Sequence, residues 1–238
     1  MVVLLQIGEL EIQLHRKAIK NLHLSVLPPE GCVRVSAPLT MTDTAIRMAV
    51  ISRIPWIKKQ RSAFINQSRQ SAREMVNGEC HYVWGRKYRL NIIQTSGQHK
   101  VELGNTNRLD MYVRSGTSMQ NKNKLIEAFY RQQLQERLNQ LYSSLMPRIG
   151  VTPDFIGIRK MKTRWGSSNP SSKRIWINLE LAKKPVECLE FILVHELAHL
   201  IERHHNERFV MYMDQFLPQW RERKALLNSL PLGHGLSY

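Results

Sequence analysis

A short apolar segment carrying two histidines constrains this chain more than any other feature. Val186, Leu189, Leu193, Leu197, Leu200 and Ile201 recur at helical spacing, which predicts a helix with one buried side. Pro185 suits its first turn, where a missing N–H costs nothing. Inside this pattern lies His195-Glu196-Leu197-Ala198-His199. Positions i and i+4 share a helix face, so both imidazoles can bind one metal ion while Glu196 reaches a water held by that ion. With 9 His and 15 Glu in 238 residues, the pattern is expected by chance only ~0.02 times. The residues point to a metal-assisted hydrolytic centre rather than to histidines packed in a core.

Two histidines hold zinc poorly, and a catalytic site needs a third ligand with the fourth position open to water. His205, six residues after His199 and followed by Asn206 and Phe209, is the expected third ligand. His204 and the downstream carboxylates Asp214 and Glu222 are the alternatives. On a continuous helix residue 205 would stand about 15 Å along the axis from His195, too far to share an ion. The helix is therefore expected to end near Glu202 or Arg203 and reverse. Metzincin proteases use the same histidine spacing with a glycine at the turn. Glu202 stands there in this chain, which argues against that group.

Charge is the second unusual feature, because 35 Lys and Arg against 19 Asp and Glu leave a net +16. Such an excess favours a polyanionic partner, nucleic acid being the simplest, although a dispersed solvated surface has the same composition. The densest cluster, Arg159, Lys160, Lys162 and Arg164, precedes Trp165. Trp165 is read as a core residue, with base stacking as the alternative. Cys32, Cys80 and Cys188 are odd in number and contain no CxxC, so neither a disulfide framework nor a cysteine metal site is suggested. No apolar run approaches the ~20 residues of a membrane span, and Val2 to Leu5 is too short for a signal-peptide core. A cytoplasmic protein is expected.

The rest of the chain reads as α+β. Leu22, Leu24 and Val26 match Val33, Val35 and Ala37 across Pro28-Pro29-Glu30-Gly31 as a hairpin. Thr42 or Asp43 can cap a helix to about Ile54, and Pro55 then starts a second one. Two strand-like runs follow, Tyr82 to Ile93 and Val101 to Val113, with Ser96-Gly97 as a turn. Leu125, Phe129, Tyr130, Leu134, Leu138, Leu141 and Leu145 predict a long amphipathic helix. Residues 174–181 read as a strand with Ile175, Ile177 and Leu179 on one face and Trp176, Asn178 and Glu180 on the other. A polar stretch from Ser115 to Asn123 marks the expected boundary, giving 1–116 as a strand-rich region with a helical pair and 117–238 as a helix-rich domain with a small sheet.

Met161 to Ser167, Arg174 to Leu179, Pro185 to His199, His205-Asn206-Glu207-Arg208-Phe209 and Leu217-Pro218-Gln219-Trp220 together resemble the YgjP-like metallopeptidase domain. That family is related to the SprT-like and WLM zinc proteases. Arg16 to Leu22, Trp56 to Lys59 and Gly85-Arg86-Lys87-Tyr88 extend the resemblance over roughly residues 10–230. It implies a zincin-like fold, zinc held by His195, His199 and His205, Glu196 as catalytic acid and base, and a protein or peptide substrate. A strand at 174–181 would then line the cleft and offer its edge to an extended substrate. One departure stands in the Trp-Gly-Ser loop, where Ser168 replaces the cysteine that family members often carry. The competing expectations are a nucleic-acid-associated protein whose proteolysis depends on DNA, and a binding module with a structural metal. The oxyanion donor is left among Tyr212, His204 and Arg164.

Overall fold

The computed structural model describes residues 2–27, 31–66, 74–161 and 164–230. The chain divides into two compact units, one covering Met1–Gln70 and the other Ser71–Leu230.

In the first unit, β1 (Val2–Ile7), β2 (Leu10–Lys17), β3 (His23–Leu27) and β4 (Cys32–Pro38) form a sheet of order β1-β2-β4-β3. Gly8, at φ 58°, makes the tight β1–β2 turn that a side chain would strain. The hairpin register pairs Leu24 with Val35 and Val26 with Val33, as the alternation predicts, while its turn residues 28–30 lie outside the described residues. Ile12, Leu14, Val33, Val35 and Ala37 are buried together with Ile46, Val50 and Ile57 of α1 (Asp43–Ile51) and α2 (Ile54–Asn66). Thr42 caps α1 by accepting from the Ala45 N–H at 3.3 Å.

The second unit holds both remaining sheets and the long helices. The two runs read as single strands are each a hairpin: β5 (Cys80–Val83) with β6 (Arg86–Gln94), and β7 (Lys100–Leu103) with β8 (Arg108–Val113), in the order β5-β6-β8-β7. Trp84-Gly85 makes the first turn and residues 104–107 the second, with positive φ at Trp84, Gly85, Thr106 and Asn107. The boundary drawn at 116/117 falls inside this unit, because β5 packs on the 3₁₀ segment Leu179–Lys183 and β7 packs on α3 (Met119–Ile149). Ser118 caps α3, and Gly150 ends it in the left-handed conformation at φ 69°. Its buried stripe, Ile126, Phe129, Tyr130, Leu134, Leu138, Leu145 and Ile149, follows the predicted period.

The third sheet, of order β10-β11-β9, is made by β9 (Phe155–Arg159), β10 (Gly166–Asn169) and β11 (Arg174–Asn178). Ile175 and Ile177 are fully buried, and β10 and β11 both pack against α4 (Val186–Ala198). The strand expected over 174–181 ends at Asn178, whose side chain accepts from the Glu180 N–H at 3.2 Å and turns the chain into the 3₁₀ segment. Cys188, Leu189, Phe191, Ile192, Leu193, Val194, Glu196, Leu197 and Ala198 of α4 are buried, so this helix is enclosed nearly all round rather than on one stripe. α5 (Glu207–Phe216) and α6 (Trp220–Ser229) pack against it. Among the described residues, no helix is long and apolar enough to cross a membrane.

Candidate metal centre

α4 supplies the first two histidines from its last turn. The helix stops at Ala198 with His199 as its C-cap, four residues before the stop expected from the spacing. The Leu200, Ile201 and Glu202 N–H groups then donate to the Leu197 and Ala198 carbonyls and fold the chain back. No residue from 199 to 206 has a positive φ. This reversal therefore needs no glycine, which is why Glu202 is accommodated where metzincins place one. Asn206 caps α5 by accepting from the Phe209 N–H at 3.0 Å, and His205 is delivered beside the other two histidines.

The three Nε2 atoms form a nearly equilateral triangle: 3.2 Å from His195 to His199, 3.1 Å from His199 to His205, and 3.2 Å from His205 to His195. Three nitrogens around a tetrahedral ion at about 2.0–2.1 Å stand roughly 3.3 Å apart, so the triangle fits such an ion. The His199 Nδ1 lies 3.1 Å from the Glu202 carbonyl oxygen. A carbonyl can only accept, so Nδ1 carries the proton and Nε2 presents its lone pair to the centre. Burial pushes the His195 pKa down to about 3, with His199, His205 and Lys224 adding to the effect. Burial likewise lowers His199 and His205. All three rings are neutral near pH 7, the state that binds a cation.

Phe209 sits against the whole trio. Its ring centroid is 5.0 Å from that of His195, 4.6 Å from His199 and 4.7 Å from His205, and it is only 4% exposed. The sequence flagged the residue only as a neighbour of His205; its contact with all three rings follows from α5 packing on α4.

Glu196 is 3% exposed, and burial raises its pKa to about 8 against the pull of Arg164. Gly166 lies directly against it. A Cβ on Gly166 would fall 2.5 Å from Glu196 Oε1, 2.8 Å from Cγ and 2.9 Å from Cδ. Gly166 and Asn178 are the residues of this site that pattern reading missed. Asn178, read as part of an outer strand face, is fully buried. Its Nδ2 donates to the Met161 and Arg164 carbonyls at 3.0 and 2.7 Å, which fixes the approach to β10. Only the glycine beside Trp165 and the asparagine at the strand end could have signalled them.

The alternative ligands go elsewhere. The His204 backbone N–H donates to Glu202 Oε1, and its imidazole lies outside the cluster. Asp214 accepts from Trp220 Nε1 at 2.8 Å and from Arg221 at 2.5 Å, and Glu222 also lies outside the cluster. Among the described residues, His195, His199 and His205 form the one group of three that could hold a metal. Of the oxyanion candidates, Tyr212 stacks on Phe216 and accepts from Arg208, while Arg164 is near enough to influence Glu196. Among the described residues, Ser168 Oγ, buried on β10, has no hydrogen-bond partner.

The substrate edge also shifts. β11 is the central strand of its sheet, so it has no free edge; β10 is the open strand nearest Glu196 among the described residues. Trp165 is 1% exposed, a core residue that leaves no face for a base. In the basic cluster, Lys160 is paired with Glu127 and Arg159 lies over Trp176, while Lys162 is outside the described residues.

Three converging imidazoles beside a buried carboxylate are a donor set of the metal-dependent hydrolase class. The family model for the YgjP-like metallopeptidase domain matches residues 20–230, and the chain belongs to that family. Its general activity is that of a metallopeptidase. The structure is similar to the metallopeptidase zymogen abylysin of Pyrococcus abyssi, with 20% identity, 38% of this chain and 90% of that chain covered, and a TM-score of 0.36. No curated protein matches by sequence.

Proposed function

We propose that the protein is a zinc peptidase in which His195, His199 and His205 hold the ion and Glu196 acts as general base and then general acid. The observation that carries this reading is the triangle of Nε2 atoms, 3.1–3.2 Å on a side, with Glu196 buried at its flank. Three imidazoles with a fourth position open suit zinc. Zinc in that position lowers the pKa of a bound water toward ~7 and polarises the scissile carbonyl.

The residues divide the remaining work. Glu202 orients His199 through its carbonyl, and Phe209 holds the three rings together. Glu196 removes a proton from the attacking water and returns it to the leaving amine. An extended peptide adds to the open edge of β10, where backbone pairing aligns it without regard to sequence. The burial of Glu196 keeps bulk water from solvating its carboxylate, so the proton transfer stays within the site.

The test separates metal binding from chemistry. Glu196→Gln should retain about one zinc per chain and its melting temperature, yet lose peptide hydrolysis by ~10²–10⁴-fold, because an amide cannot take the proton. Turnover close to that of the unsubstituted protein would leave a metal-bearing binding module as the better reading.

A further inference from the structure

We propose that Arg159 selects an acidic side chain in the peptide substrate, at the position lying opposite Ser167. The proposal rests on the reading of the chain as a peptidase whose substrate pairs with β10.

The outer face of the third sheet carries the argument. In β10, Gly166 pairs with Ile177 and Ser168 with Ile175, the two buried positions, whereas Ser167 pairs with Trp176 and Asn169 with Arg174 on the opposite face. Gly157 of β9 lies beside Trp176 on that outer face. A Cβ on Gly157 would fall 2.6 Å from Trp176 Cζ3, so the glycine lets the indole lie low over the sheet. Arg159 crosses this indole, with its guanidinium 5.0 Å from the ring centroid, and donates to Ser167 Oγ at 3.2 Å. It starts on β9 and ends on β10, spanning two strand spacings of about 4.8 Å each. A flexible cation is thereby fixed at the open edge of the sheet, stacked on one side and hydrogen-bonded at one end.

The ladder then says which substrate residue it meets. The Asn178 N–H donates to the Trp165 carbonyl at 2.8 Å, so this pair is hydrogen-bonded. Alternation makes Ser167 and Trp176 the next hydrogen-bonded pair, and turns the backbone groups of Gly166 and Ser168 toward the open side. An antiparallel substrate bonds through those groups. Its residue opposite Ser167 then forms a non-hydrogen-bonded pair, the kind with side chains closest together, about 4.5 Å between Cα atoms. That side chain points to the outer face, beside the guanidinium. One of the five Arg donors goes to Ser167, and the planar fork presents others to a carboxylate. The outer-face positions, Phe155, Gly157, Arg159, Arg174, Trp176, Ser167 and Asn169, include two arginines and no acid. The chemistry that fits is a Glu or Asp side chain.

The experiment uses the full zinc-loaded chain and peptide sets identical except for Glu, Gln or Lys at each position around the cleaved bond. At one position Glu should exceed Gln by roughly tenfold in kcat/KM, with the ratio shrinking as salt rises. Arg159→Gln should bring that ratio to about one, and Arg159→Glu should invert it in favour of Lys, with zinc content and melting temperature retained in both. A Glu preference that persists in Arg159→Gln, or cleavage indifferent to charge at every position, overturns the assignment and leaves the peptidase reading standing. Cleavage of no peptide by the unsubstituted, zinc-loaded protein overturns the peptidase reading and this proposal with it.

Discussion

Replacing Gly166 by alanine adds one methyl group at the point where β10 meets Glu196. Its backbone is outside the positive-φ region, so alanine fits the chain and the perturbation is confined to side-chain space. The new Cβ would stand 2.5, 2.8 and 2.9 Å from Oε1, Cγ and Cδ of Glu196. Ordinary contact distances are about 3.5 Å or more, so the carboxylate has to move by roughly 0.5–1 Å. Misplacing a catalytic group by that much costs about 10²-fold, and complete loss of the base would cost up to ~10⁴-fold. Crowding a packed site should also remove about 1–3 kcal/mol of stability. We expect Gly166→Ala to lose about two orders of magnitude in kcat/KM against a peptide mixture, with zinc near one per chain, since Glu196 is not among the proposed ligands. In an enzyme already carrying Glu196→Gln, the added methyl should cost little further activity, because both changes act on one group. A folded, zinc-loaded Gly166→Ala protein within about threefold of normal turnover would refute the reasoning.

The ligand assignment predicts that His205→Ala loses most zinc in a chelator competition while His204→Ala keeps it; equal loss in both would move the third ligand. Phe209→Ala, which removes the ring touching all three histidines, should weaken zinc affinity by about 10–100-fold, and Phe209→Leu by less. Unaltered affinity in a folded Phe209→Ala protein would show that the ring only fills space. His195 stays neutral in the metal-free fold down to about pH 3 but takes up a proton near pH 6.5 when unfolded. The unfolded state thus binds more protons between those values, so this ring makes metal-free stability decline as pH falls below about 6.5, while the raised Glu196 carboxyl acts in the opposite direction over the same window. Melting curves of Glu196→Gln from pH 7.5 to 4.5 in chelator, with that carboxyl removed, should show the decline, reduced when His195→Asn is added; a flat Glu196→Gln profile would count against a buried neutral ring.

The helices of this chain were legible because their buried positions recur at local spacing. α3 obeys its period over 31 residues, and Thr42 and Asn206 cap their helices through ordinary side-chain chemistry. The histidine constellation was legible too, since a reach argument alone required the chain to reverse before His205. What stayed hidden depends on tertiary contact. Trp84 adopts φ 51°, unusual for a bulky residue, and no rule of turn composition selects it. Its N–H donates to the Ala182 carbonyl at 2.9 Å, and Gly85 abuts Pro185, so docking on a segment a hundred residues away decides the turn. The place of β11 was likewise unreadable. Alternation reveals two faces of a strand but never its neighbours, and only the assembled sheet shows that β9 and β10 cover both edges.

The early end of α4 has an electrostatic consequence. A helix terminates in carbonyls that carry about half a negative charge, and here that terminus adjoins His195, Glu196 and His199. Burial raises the metal-free Glu196 carboxyl to about 8, so near pH 7 it holds a proton, and a negative pole beside it acts in the same direction. On the proposed assignment, a divalent cation held by the histidine triangle would reverse that balance and favour loss of the proton. Metal uptake and proton release would then form a single exchange, and the apparent affinity for the ion would depend on pH through a residue that is not one of its proposed ligands.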